Sequence, residues 1–349
     1  MTRSVRPTHG LIALAILGLF LFGLVASFLV NISKLPSVLD HLKISALIFA
    51  LICTTLAYIS IALSFSGLFE LIKTTIPFPR LFSITFISST FNYIVSSAGL
   101  SSLAVRAFLF KQAKISYSFG ISISIAQGML TNFVLLILCL SGGVYLLEWK
   151  KIYTGWGIDL VGVLIVGLGI MVLFFALGFL STVFRHKVLN YSFKIWDWVW
   201  IRWFRKKSRN SIWSRMLHNF DESIQLLHQG WLQLGITLFW VIMDWTFTVL
   251  VFYFCFRAVN IALPFGFLLV GFSIQFLLSN LNIVPGGIGI AESAVTGLFY
   301  TLGLHIDQVL IAILLFRVVY YLIPMAVAFT LYLDTIRNIF YNKAISRKE

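Results

Sequence analysis

The chain is written in long apolar blocks separated by short polar ones. Apolar runs of about 20 residues or more, enough to cross a hydrocarbon core about 30 Å thick, lie at 11–30, 44–69, 118–147, 158–181, 231–256 and 306–333. Each predicts a membrane-spanning helix. Two further apolar regions, 81–112 and 264–304, are broken near their middles by VSSAGLSS and VPGGIG, and each reads as two shorter helical pieces. The pattern predicts an all-α polytopic membrane protein with about six full spans and two broken or re-entrant helical hairpins. Whether each hairpin is re-entrant or fully spanning stays open at this level. Run 11–30 follows Arg3 and Arg6, but it exceeds the core of a signal peptide, about 7–15 residues, and no small-residue cleavage site follows. It is therefore counted as a span.

Composition agrees. Hydrophobic residues make up 60% of the 349 and charged ones 11%, against about 25% charge in a soluble domain, so no water-soluble surface can be assembled. The chain reads as one transmembrane domain over 1–349, with halves at about 44–181 and 231–333 joined by segment 182–230. Placing the N-terminus inside puts Arg3, Arg6, Lys73, Arg80, Lys111, Lys114, nine basic residues between Arg185 and Arg215, and Arg337, Lys343, Arg347 and Lys348 on the cytoplasmic side. Only Lys34, Lys43, Lys150, Lys151 and Arg257 fall outside. The positive-inside rule then predicts both termini in the cytoplasm, in a bacterial or archaeal cell (inner) membrane. The net charge of +14 calls for no nucleic acid, because much of it sits in 182–230, facing anionic headgroups. That segment's Trp196, Trp198, Trp200 and Trp203 suit a stretch lying in the interface. Cys53, Cys139 and Cys255 lie in apolar runs with no paired spacing, so neither a disulfide framework, a metal site nor a cofactor is expected.

Shifting the chain by 190 residues aligns FSITFISSTFNYIVSSAGLSSLAV (82–105) with FSIQFLLSNLNIVPGGIGIAESAV (272–295) without a gap. Nine of the 24 positions are identical, among them Ser89/Ser279, Asn92/Asn282 and Gly99/Gly289. Thr85, Ser89 and Asn92 share helical spacing with Gln275, Ser279 and Asn282, which draws one polar stripe in each half. With the topology above, the first broken region is entered from the cytoplasm and the second from outside, so the halves form an inverted repeat. Such repeats, with broken helices, build many secondary transporters around a site near the midplane.

The breaks carry the candidate binding chemistry. Pro285 lacks an N–H, while Gly286, Gly287 and Gly289 let the backbone turn and approach a ligand. The helix restarting after the break aims its N-terminal N–H groups at that place, where an anion is favoured. In the first half Ser96, Ser97 and Gly99 offer the corresponding turn, with Ser101, Ser102 and then Arg106 behind. The same small residues also serve close helix packing, and both readings stand here.

Charges inside the apolar segments are few: Arg106, Asp244, Glu292 and Arg317. Arg317 lies near the middle of its run and needs a partner, with Tyr320, Tyr321 and Pro324 following at i+3, i+4 and i+7 on one face. Glu292 and Asp244 are the available carboxylates, and a Glu292–Arg317 pair is expected, as a gate or as a device that only docks two helices. Asp244 shares a face with Thr237, Trp240 and Thr248. Arg106 lies near Lys111 and Lys114, where snorkelling at the cytoplasmic edge would suffice. A polar cavity lined by Asn92, Asn282, Glu292 and Arg317 is expected where the breaks meet.

These motifs also carry a family resemblance. PGGIGIAESA resembles the Pro-Gly-Gly-x-Gly-x-Arg-Glu signature of the flippase-like family named after the membrane region of lysylphosphatidylglycerol synthase, with Glu292 at the acidic position and Ala291 in place of arginine. FRVVYYLIP is similar to that family's last-span pattern and places Arg317, Tyr320 and Pro324. AGLSSLAVRAFLF resembles its first-half motif, keeping Arg106 but having Ser102 and Leu103 where Gly-Glu is typical. Gln127, Gly128 and Thr131 stand where the later Glu-Arg and Asp would be. The resemblance covers nearly the whole chain, and it implies movement of an aminoacylated phosphatidylglycerol or another phospho- or glycolipid between leaflets. The named enzymes carry a soluble synthase domain downstream, whereas this sequence stops soon after the last span, so a separate lipid-synthesis enzyme is the expected partner.

Two other classes remain in view. A membrane-embedded transferase would need an acid/base pair or an acidic metal cluster, but Asp221 and Glu222 stand as a lone pair and the six histidines are scattered, so no enzyme is expected. A scaffold of an envelope-synthesis complex would act through the basic, aromatic segment. The expected binding set is Asn92, Ser96, Ser97, Gly99, Arg106, Asn282, Pro285, Gly286, Gly287, Gly289, Glu292, Arg317 and Tyr320, with Asp244, Glu292 and Arg317 as the charge set and membrane lipids with anionic headgroups as partners.

Overall fold

The structure, a computed structural model, describes residues 41–71, 73–94, 100–148, 166–174, 230–280 and 289–332, with scattered positions between 177 and 194. The expected span at 11–30, most of segment 182–230, and both break centres, 95–99 and 281–288, lie outside the described residues.

Every regular element among the described residues is helical. The order is α1 (Ile44–Leu71), α2 (Phe78–Ile94), α3 (Leu100–Gln112), α4 (Tyr117–Glu148), α5 (Trp231–Ala258), α6 (Phe265–Asn280), α7 (Ile290–Thr301) and α8 (Ile306–Arg317), which runs on through a π-helical turn at Val318–Leu322. Residues 166–174, inside the expected span 158–181, are helical too. Among the described residues, four helices are long and apolar enough to cross a membrane: Ile44–Leu71, Phe119–Tyr145, Trp231–Ala258 and Ile306–Tyr332. Along α1, Ile48, Phe49, Ile52 and Leu56 are exposed while Ala46, Ala50, Cys53 and Ala57 are buried. A continuous apolar outer face belongs against lipid, and the small inner residues let neighbouring backbones approach. The chain is an integral membrane protein.

The repeat extends into the turns, where sequence identity does not show it. Six residues, 72–77 and 259–264, join each long helix to its hairpin, and four, 113–116 and 302–305, follow each hairpin. In all four turns one residue takes a left-handed conformation: Lys73 (φ 51°) and its counterpart Asn260 (62°), then Lys114 (65°) and its counterpart Gly303 (85°). The hydrogen bonds match as well. Lys73 N–H donates to Glu70 C=O and Thr74 N–H to Phe69 C=O, at 3.0 and 3.1 Å, while Asn260 and Ile261 donate to Arg257 and Phe256 at 3.1 and 3.0 Å. Lys114 and Ile115 donate to Lys111 and Phe110, both at 3.1 Å, and Gly303 and Leu304 to Tyr300 and Phe299 at 2.9 and 3.1 Å. Each is the paired bond set that closes a helix C-terminus around a left-handed residue.

These caps place the hairpins. Phe69, near the end of α1, meets Phe110, near the end of α3, edge to face at 5.1 Å. Phe256, near the end of α5, meets Phe299, near the end of α7, in the same manner at 5.2 Å. Arg80, at the start of α2, donates from Nη2 to the carbonyl of Gln112, the last residue of α3, at 2.8 Å. Each hairpin therefore returns to the end of the long helix from which it departed. The helical arms of 17 and 13 residues, then 16 and 12, extend about 18–26 Å at 1.5 Å per residue, shorter than the long helices from which they depart.

The chain divides into two compact units, one holding 1–59, 83–105 and 246–349 and the other 60–82 and 106–245. Each draws on both sequence halves. The first is built on aromatic packing, in which Phe252, Phe272, Phe276, Phe299 and Phe316 are all buried and Phe252 meets Phe272 at 5.9 Å and Phe316 at 5.3 Å. In the second, Phe110 packs on Phe65 and Phe69, and the Trp245 indole N–H donates to the Thr131 carbonyl at 3.0 Å. The three cysteines are buried and form no disulfide.

Candidate functional site

The site grows from the turn before α7. Gly289 takes φ 89°, a conformation that costs a side-chain-bearing residue about 1–2 kcal/mol, and so lets the helix restart sharply at Ile290. Glu292 then occupies the third helical position and reaches back, its Oε2 accepting the Gly289 N–H at 2.8 Å. The Ser293 hydroxyl donates to the Gly289 carbonyl at 2.6 Å. A carboxylate in the first helical turn gains from the macrodipole, and here it also satisfies one of the N–H groups that a helix start leaves without partners.

The other carboxylate oxygen of Glu292, Oε1, meets Nε of Arg317, so the expected pair is present. It is also buried, with Glu292 2% and Arg317 5% exposed. Removing two charges from water costs several kcal/mol each, which their attraction offsets only when both are well partnered. Glu292 has the Gly289 N–H as a second partner. Arg317 does not match it: its Nη2 has no hydrogen-bond partner among the described residues.

Arg317 closes α8, and the backbone then widens into the π turn at Val318–Leu322, with Ile323 N–H donating to Val318 C=O. The π turn widens the period of 3.6 within the stretch where Tyr320, Tyr321 and Pro324 were expected to follow Arg317 on one face. The sequence VVYYL carries no signal for it. Tyr320 stacks flat on Phe316 at 5.4 Å, its hydroxyl accepts from Thr248 at 3.1 Å, and its carbonyl accepts from the Tyr58 hydroxyl at 3.2 Å. Three helices, α1, α5 and α8, are thus tied together one turn beyond Arg317. Tyr58 and Thr248 were not among the expected site residues.

At the first break, Ser101 donates to Oδ1 of Asn92 at 3.4 Å, linking the two arms across it. Ser96, Ser97, Gly99, Asn282, Pro285, Gly286 and Gly287 lie outside the described residues. Arg106 and Asp244 fall in the second unit. Arg106 is 6% exposed, with its guanidinium over the Phe65 ring at 4.5 Å. The side chain is thus buried against an aromatic ring by a cation–π contact rather than extended away from the protein. Asp244 is buried, as are Thr237 and Thr248 on the same helix. Gln127 donates to the Thr131 hydroxyl at 2.9 Å, so a neutral hydrogen bond occupies the place where the resemblance implied charges. Among the described residues, no group of three His, Cys, Asp or Glu side chains could hold a metal ion.

Comparison with known proteins agrees with this architecture. An 80-residue stretch is 34% identical to a UPF0104 membrane protein of Methanothermobacter thermautotrophicus and covers 23% of each chain. An 88-residue stretch is 33% identical to the phosphatidylglycerol lysyltransferase of Staphylococcus aureus and covers 25% of this chain and 10% of that protein. The chain thus aligns with less than a quarter of the length of either relative. Over a much longer span, residues 11–328, it matches the family described as the lysylphosphatidylglycerol synthase TM region, and it belongs to that family.

Proposed function

We propose that the chain moves an anionic or aminoacylated phospholipid, or a glycolipid, between the leaflets of a bacterial or archaeal cell membrane. The observation that carries this reading is the buried Glu292–Arg317 pair at the start of α7, next to the second break. A purely structural ion pair is expected to be closed on both sides, whereas this one leaves Nη2 of Arg317 without a hydrogen-bond partner among the described residues. A phosphate oxygen would complete the guanidinium's fork. Glu292, supported independently by Gly289, would then release part of its hold as the headgroup arrives and recover it as the headgroup leaves.

Family membership supports a membrane-lipid-related role. The repeated hairpins support alternating access, with inversion following from the count of spans and both termini on the cytoplasmic side. On this reading the chain performs no covalent chemistry, and a separate enzyme makes the lipid. The test is reconstitution of the full chain in liposomes carrying fluorescent anionic, zwitterionic and aminoacylated lipids, with leaflet exchange as the readout. Exchange of at least one anionic or aminoacylated lipid, lost in a Glu292→Gln, Arg317→Met double variant, is the expected result. Folded protein that exchanges none of them overturns the reading.

A further inference from the structure

Gln275, on α6, is completely buried, and neither its Nε2 nor its Oε1 has a hydrogen-bond partner among the described residues. Buried polar side chains are almost always paired, and each exception calls for an explanation. The first hairpin shows how such residues are normally accommodated. There Ser88 donates to the Thr85 carbonyl at 2.9 Å, and Thr90 to the carbonyls of Phe86 and Ile87 at 3.0 and 2.9 Å. Short hydroxyl side chains satisfy themselves against their own helix, while the Gln275 amide makes no such bond.

The direction Gln275 faces follows from its neighbours. Gly271 precedes it by four residues and so lies on the same helix face. A Cβ at Gly271 would stand 2.5 Å from Cζ of Phe299, so this face of α6 lies against α7. On α7, Thr296 and Glu292 precede Phe299 by three and seven residues and share its face. The seam between the arms is therefore closed at Gly271 and Phe299 and runs past Gln275 and Thr296 toward Glu292. The Thr296 hydroxyl, 9% exposed as a residue, also has no hydrogen-bond partner among the described residues. The rings of Phe276 and Phe316 meet at 6.2 Å, which sets the residue after Gln275 against the residue before Arg317.

We propose that Gln275 and Thr296 are specificity-determining residues of the headgroup site and read a hydroxyl next to the anionic group that Arg317 takes; this rests on the lipid-handling reading above. The amide and the hydroxyl can each donate and accept, and a ligand hydroxyl answers both. A methyl ester or a trimethylammonium group has no proton to donate and leaves the amide oxygen unpaired in a dry site. Sites built to hydrogen-bond a ligand hydroxyl reject analogues lacking it far more strongly than apolar pockets reject an added group.

The test measures binding apart from transport. The full chain in detergent is titrated with two short-chain lipids of equal charge, dioctanoyl phosphatidylglycerol, which carries two hydroxyls, and dioctanoyl phosphatidylmethanol, which carries none. The wild type is expected to favour the hydroxylated lipid about tenfold, as two hydrogen bonds would give. Gln275→Leu removes most of that preference and Thr296→Val, nearly isosteric, part of it. No preference in the wild type, whether both lipids bind or neither does, overturns the proposal. So does a preference unchanged in both variants, as a buried water in the seam would produce. Hydroxyl preference without leaflet exchange overturns the transport reading and leaves this assignment standing, while exchange without hydroxyl preference does the reverse.

Discussion

Replacing Glu292 with glutamine keeps the side chain's size and an oxygen able to accept the Gly289 N–H, and it removes the charge alone. Arg317, 5% exposed, is then a buried cation without its counterion. Breaking a buried pair from one side costs about 3–5 kcal/mol, because the remaining charge stays desolvated. Glu292→Ala also discards the hydrogen bond to Gly289, 2.8 Å long, and is expected to cost about 1 kcal/mol more. The reverse change, Arg317→Met, is expected to cost less than Glu292→Gln, since the carboxylate keeps both its N–H donor and the positive end of α7. Removing both charges together, Glu292→Gln with Arg317→Met, is expected to recover most of the loss, because neutral side chains of similar volume replace buried pairs at little net cost.

Denaturant unfolding of purified protein in mixed micelles gives the three differences and the coupling between the two positions. A Glu292→Gln variant within about 0.5 kcal/mol of wild type, the range of ordinary surface substitutions, would refute the claim that this pair is buried and mutually required. The double variant also separates the pair's two roles. If it is stable and exchanges lipid normally, the pair only docks α7 to α8; stable and inactive is the outcome expected under lipid movement.

Other expectations are simpler. Gly271→Ala forces a Cβ to within 2.5 Å of Cζ of the wholly buried Phe299, and thermal unfolding should show a loss of about 1–3 kcal/mol from overpacking, despite alanine's better helix propensity. Lys114→Gly should gain roughly 1 kcal/mol and Gly303→Ala lose a similar amount, because both positions have left-handed backbones that glycine alone adopts freely. Tyr58→Phe and Thr248→Val each delete a buried bond to Tyr320 and should each cost about 1 kcal/mol in the same assay. Gln275→Leu, which replaces a buried amide that has no hydrogen-bond partner among the described residues with an apolar side chain of similar volume, should raise the stability of the ligand-free protein by about 1–3 kcal/mol.

Four long helices were legible to within two residues because membrane thickness sets their length and composition marks their extent; 44–69 became Ile44–Leu71 and 306–333 became Ile306–Tyr332. Glu292 and Arg317 were legible for a related reason. Charges are scarce in these segments, so few partners exist, and a mid-span arginine must use one. The cation–π partner of Arg106, Phe65, was not legible, because it lies on another helix. The turn counterparts were invisible to residue matching, since Lys73 answers Asn260 and Lys114 answers Gly303. What is shared there is a left-handed backbone and its hydrogen bonds, which several residue types can adopt at different cost. Gln275 was seen as part of a polar stripe, but that its amide has no partner among the described residues depends on what packs around it.

The paired hairpins also show where equivalence stops. Their caps, their ring contacts and their return to the parent helix agree, so the scaffold is duplicated. Their polar content is not. In the first hairpin the hydroxyls of Ser88 and Thr90 close on their own helix, Arg106 sits over Phe65, and on the following helix Gln127 and Thr131 form a neutral bond. In the second, a carboxylate at a helix start holds an arginine whose outer nitrogen has no hydrogen-bond partner among the described residues, beside an amide and a hydroxyl in the same condition. Desolvating such groups is unfavourable, and among the described residues of the first hairpin Ser88 and Thr90 avoid it by bonding to their own helix. Under the proposed lipid-handling reading, a headgroup that meets the groups of the second hairpin would offset that cost, and the seam between α6 and α7 is where it would be distinguished.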